Sequence, residues 1–148
     1  MGVQSDTRSS SPQALNPSGV VLNSPIVGMA ATADGRGYWL VASDGGVFTF
    51  GDLGFHGCLA ADPLNSPIVG MAATPEGKGY WLVTSDGTIR SFGDAQYHGS
   101  MSSWEVQHPV VGIVADMARA GYWLVTSDGS VFGFGAPFRG SAATIKLP

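Results

Sequence analysis

The chain has 148 residues and a formal net charge of −4, a length that supports one domain with a substantial core. Charged residues make up only 12% of it and no run of Lys or Arg occurs, which excludes the basic stripe a nucleic-acid binder needs to hold phosphate. Cys58 is the single cysteine, so no intrachain disulfide forms, and no apolar run approaches the roughly 18 residues of a membrane-spanning helix.

Residues 1–19 are polar, with Ser, Pro and Gln and little apolar periodicity, and read as a flexible or docking N-terminal arm. They lack the basic-then-apolar pattern of a signal peptide. The remaining stretch, 20–148, is a repeat domain. Pro25, Pro67 and Pro109 are 42 residues apart, as are Tyr38, Tyr80 and Tyr122. The copies occupy 25–66, 67–108 and 109–148, and VVLNSP (Val20–Pro25) repeats as PLNSP (Pro63–Pro67). A period of about 40–45 residues is the size of one β-propeller blade.

In the first copy four short apolar runs are punctuated by turn residues: Ile26–Thr32, Tyr38–Ser43, Val47–Phe50 and Phe55–Ala60. Runs of this length, rich in Val, Ile, Phe, Tyr and Trp and bounded by Asp-Gly, predict strands joined by tight turns. No segment sustains a helical period. In Tyr38-Trp39-Leu40-Val41 alternate side chains face opposite ways, so Tyr and Leu share one face and Trp and Val the other. Both faces are apolar, which predicts a sheet covered on both sides, as a blade between two neighbours is. The expected fold is therefore all-β, with three four-stranded propeller blades. Propellers have about 4–8 blades, so three require oligomerisation, most simply into a six-bladed dimer. A β-trefoil, closed within one chain from three similar units, is the alternative.

The string Pro67–Val83 (PIVGMAATPEGKGYWLV) looks like the opening two strands of YVTN and NHL-type propeller blades. The fuller unit Gly37–Gly57 (GYWLVASDGGVFTFGDLGFHG) resembles repeats found in tandem in actinobacterial proteins, many of them surface or exported. That resemblance implies a propeller and an extracellular or cell-surface location. The third copy departs from the pattern. Asp116-Met117-Ala118-Arg119 replaces the T-P-E-G turn, and Ala136-Pro137-Phe138-Arg139, following Gly135, replaces the D-x-x-F-H of G-D-x-x-F-H with one residue fewer. Divergent end repeats commonly form interfaces, which makes Arg119, Pro137 and Phe138 interface candidates.

Candidate ligand-binding residues come from recurring polar positions and from one exception. Asp44, Asp86 and Asp128 occupy the same S-D-G turn, as ligands for sugar hydroxyls or as turn formers. His56 and His98 recur where the third copy has Arg139. Such a set suits a carboxylate, phosphate or sugar, but not zinc, because Arg does not ligate the metal. Trp39, Trp81 and Trp123 read as packing residues. Trp104, in the polar stretch SSWEVQH, has no aromatic counterpart and reads as a ligand or partner contact. Arg90 stands where Phe48 and Phe132 recur, and marks an exposed face or an ion pair. The carboxylates Asp52 and Asp94 lose their counterpart at Ala136. No nucleophile motif or phosphate loop occurs. The expected function is a non-catalytic recognition module, lectin-like in binding glycans at repeated shallow sites, with no cofactor, metal, nucleic acid or membrane insertion. The alternative is a structural assembly block of a surface layer or virion-like particle.

Overall fold

The computed structural model describes residues 24–59, 66–101, 108–140 and 142. The arm at 1–19, Ala60 and Trp104 lie outside them. The fold is all-β: among the described residues nine strands form and no helix does. They are β1 (Ile26–Ala31), β2 (Gly37–Ala42), β3 (Val47–Gly51), β4 (Ile68–Ala73), β5 (Gly79–Thr84), β6 (Ile89–Gly93), β7 (Val110–Asp116), β8 (Gly121–Thr126) and β9 (Val131–Phe134).

Each copy folds into its own three-stranded antiparallel meander, in the orders β1-β2-β3, β4-β5-β6 and β7-β8-β9. The register repeats as faithfully as the sequence. Ala30 opposes Trp39, Ala72 opposes Trp81 and Val114 opposes Trp123, and each first strand carries a bulge at its start. The turns follow from their residues. Gly45, Gly87 and Gly129 hold φ near +90°, a conformation open to glycine at no steric cost. Their N–H groups donate back to the carbonyls of Ala42, Thr84 and Thr126.

Four strands per copy were expected; among the described residues each copy pairs three. Phe55–Leu59 joins no ladder. Its backbone groups bond elsewhere: the Leu59 N–H donates to the Gly45 carbonyl at 2.9 Å, and Met101 and Ala142 do the same to Gly87 and Gly129. An apolar run with strand composition has thus become a pinned irregular segment.

The sheets stack face on face, and the core lies in the two layers between them. The first layer contains Trp39 and Val41 from β2 against Tyr80 and Leu82 from β5. The second contains Trp81 and Val83 from β5 against Tyr122 and Leu124 from β8. This is the alternation expected of a strand with two apolar faces. Every residue of β5 is buried, because the middle sheet has a neighbour on each side. Tight approach is needed where first strands meet: a Cβ placed on Gly28 would come within 3.2 Å of the Gly70 Cα. Backbone bonds tie the joints, with Ile68 N–H donating to the Ser43 carbonyl and Val110 N–H to the Ser85 carbonyl, both at 2.9 Å.

The two outer faces differ from the inner ones at matched positions. Met71 is 5% exposed but Met29 is 57% exposed; Tyr80 and Tyr122 are fully buried but Tyr38 is 41% exposed. On the far side of the stack Val111 and Val114 are exposed.

Candidate recognition loops

The pinned segment after each third strand is the part of the molecule that most resembles a built site. In the first copy the Trp39 indole N–H donates to the Gly54 carbonyl at 3.0 Å. Two residues on, the His56 N–H donates to the Tyr80 hydroxyl at 3.1 Å, and that hydroxyl donates to the Gly57 carbonyl at 2.5 Å. The second copy repeats the pattern: Trp81 to Gln96 at 2.8 Å, His98 to Tyr122 at 2.9 Å, and Tyr122 to Gly99 at 2.6 Å. Between the two pins sits one residue whose side chain faces solvent. It is Phe55 in the first copy, 52% exposed, and Tyr97 in the second, 60% exposed. In the third copy Trp123 donates to the Pro137 carbonyl at 2.7 Å, and the following residue, Phe138, is 65% exposed. The one-residue shortening of that copy leaves the pin and the ring in place.

The loop is held by packing as well as by hydrogen bonding. The His56 ring meets Tyr80 edge-on at 5.8 Å, as His98 meets Tyr122. The Trp39 ring lies 5.1 Å from Tyr80, and Trp81 lies 5.2 Å from Tyr122. Gly57 and Gly99 both hold φ +127°, and a Cβ there would come within 2.7 Å of Phe92 or 3.0 Å of Phe134. Burial of Tyr80 and Tyr122 pushes both phenols up to about 12, although the backbone bonds to them act the other way.

The conserved-spacing aspartates are placed as turn formers. Asp44, Asp86 and Asp128 each accept the N–H two residues on, from Gly46, Thr88 and Ser130. Burial raises the Asp86 carboxyl, but hydrogen bonds from Thr84 and Thr88 outweigh it and hold the group below its usual range. The Thr126 hydroxyl and the Ser130 backbone and hydroxyl hold Asp128 down, at about 2, with His108 adding a smaller effect. Arg119 lies 3.4 Å from Asp116 within its own turn. Pro137 receives the Trp123 indole, while Phe138 and Arg139 are exposed at the loop tip. Arg90 is exposed on β6. Thus the histidines and Arg139 come together with the exposed rings in equivalent loops, whereas the aspartates lie in the separate S-D-G turns.

Phe55 and Tyr97 were not singled out by sequence reasoning. The signal was present: an aromatic recurs immediately before His56, His98 and Arg139. It was hidden because an aromatic in an apolar run reads as buried strand. Among the described residues, no group of three His, Cys, Asp or Glu side chains is placed to hold a metal. No protein-family model matches the chain, and no curated protein matches it.

Proposed function

We propose that the chain is a non-catalytic recognition module of propeller type that presents Phe55, Tyr97 and Phe138 as equivalent shallow contacts for neutral carbohydrate. The observation that carries this reading is the recurrence of an exposed ring beside an indole-pinned carbonyl in every copy. A pinned ring loses little freedom on binding, and an aromatic face packs against the C–H groups of a sugar without needing charge. The low charge of the chain suits an uncharged ligand. Repeated weak sites gain strength through multivalency.

Strand pairing confined to each copy favours blades over a trefoil, whose barrel requires pairing between copies. The likeness to YVTN and NHL-type blades supports the same architecture, and the likeness to tandem actinobacterial repeats supports an extracellular or cell-surface setting. A propeller of this kind closes as a six-bladed dimer of three-bladed chains. The exposed outer faces at Met29 and Val114 also favour a second reading, an assembly block whose own copy is its partner.

A glycan array tests the recognition reading. Wild type binds members of the neutral glycan set, and Phe55→Ala, Tyr97→Ala and Phe138→Ala each weaken binding about tenfold, the combined variant abolishing it. Absence of binding by well-folded wild type, or undiminished binding by the combined variant, contradicts it.

A further inference from the structure

The stack contains the same joint twice and one half of it at each outer face. At each internal joint the earlier copy supplies a backbone N–H and a carbonyl, at His56 and Gly57 or at His98 and Gly99. The later copy supplies the tyrosine hydroxyl that joins them. It also supplies a phenylalanine against the glycine, Phe92 or Phe134. The histidine packs beside a glycine: a Cβ on Gly135 would lie 2.7 Å from the His98 ring, and one on Gly93 would lie 3.1 Å from the His56 ring, with the Lys78 carbonyl of its own copy closer still.

Both unmatched halves are present on the outer faces. Beyond the third sheet stand Arg139, Gly140 and the Ser127 carbonyl, the counterparts of His56, Gly57 and Ser43. Gly140 already has φ +127°, identical to Gly57 and Gly99, yet among the described residues a Cβ there would meet nothing within 4 Å. Before the first sheet stand Tyr38, Phe50, Gly51 and the Ile26 N–H, the counterparts of Tyr80, Phe92, Gly93 and the Ile68 N–H. Tyr38 and Phe50 are already stacked, with ring centroids 5.4 Å apart, matching the 5.6 Å of Tyr80 and Phe92. Among the described residues, nothing receives the Tyr38 hydroxyl.

We infer that a second copy of this chain completes the third recognition loop, its Tyr38 hydroxyl accepting from the Arg139 N–H and donating to the Gly140 carbonyl. Phe50 of that copy packs on Gly140, and its Ile26 N–H donates to the Ser127 carbonyl. The Arg139 side chain lies beside Gly51, as the His56 ring lies beside Gly93. Phe138 is held from one side by Trp123 within its own chain, and Tyr38 of the second copy supplies the other pin. Recognition through Phe138 and self-association are therefore coupled. This contact is head to tail, and two such contacts close a two-copy ring.

The inference rests on the recognition reading, but the two fail separately. Light scattering during gel filtration, on wild type, Tyr38→Phe and Tyr80→Phe, measures the joint. Wild type is expected to run as an assembly of 15.2 kDa chains, with the dimer as the smallest closed form. Tyr38→Phe leaves an N–H and a carbonyl unpaired at each joint, and is expected to raise the dimer dissociation constant on the order of a hundredfold. Its melting temperature when dissociated matches that of dissociated wild type, whereas Tyr80→Phe lowers the melting temperature of both forms. Assembly that Tyr38→Phe dissociates supports the joint. Monomeric wild type at several hundred micromolar, or assembly unmoved by Tyr38→Phe, overturns it. Glycan binding through Phe55 and Tyr97 is intact in either overturning case if the recognition reading holds.

Discussion

Tyr80 and Tyr122 each combine three tasks in one side chain: ring packing, acceptance of an N–H, and donation to a carbonyl. Their phenols, pushed up to about 12 by burial from an ordinary 10.0, make folding sensitive to alkali. The protonated phenol is the form the fold prefers. This contribution is complete below pH 10 and is lost as pH rises toward 12, because the unfolded chain then binds fewer protons. Absorbance titration of the phenolate band should show these two tyrosines ionising together with unfolding. Asp128 behaves oppositely. Its carboxyl lies near 2 against an ordinary 3.8, so its contribution is present above about pH 4 and is lost as pH falls toward 2. Asp128→Asn should flatten the acid side of the stability curve in that window, as measured by denaturant unfolding at stepped pH. Removing Trp81, fully buried between two sheets, should cost about 3–5 kcal/mol as Trp81→Ala.

At the level of elements, the three meanders were legible because their causes are local. Asp-Gly turns, β-branched and aromatic runs and a period of two specify β1, β2 and β3 and their counterparts without outside help. The opposed faces of Tyr38 and Trp39 likewise gave the stacking of sheets through Trp39 and Tyr80. Phe55–Leu59 was not legible. Its hydrogen-bond partners are Tyr80, distant in sequence and in the next copy, and the Gly45 turn; composition alone does not reveal such a partner. For the same reason Phe55 and Tyr97 were missed while the turn-forming aspartates were singled out. Glycine substitutions separate the internal joints from the open one. Gly57→Ala and Gly99→Ala add a methyl against Phe92 and Phe134 at a φ of +127°, and should destabilise the monomer by about 2–4 kcal/mol. Among the described residues, Gly140→Ala meets nothing within 4 Å. It should incur only the backbone strain, about 1–3 kcal/mol. Thermal unfolding at low protein concentration distinguishes these outcomes.

For the whole molecule, the proposed recognition role and stability share one device. Each sheet covers one face of the next, and the tyrosine that seals the joint also fixes the loop bearing the exposed ring. On the proposed reading, a following copy completes the hold on each loop that bears an exposed ring. The most direct test is an NMR titration of isotope-labelled protein with a neutral glycan selected on the array. The account predicts that the amide resonances of Phe55, Tyr97 and Phe138, and of the adjoining His56, His98 and Arg139, shift together along one binding curve. Shifts confined to the Asp44, Asp86 and Asp128 turns, or no shift at millimolar glycan, would contradict it.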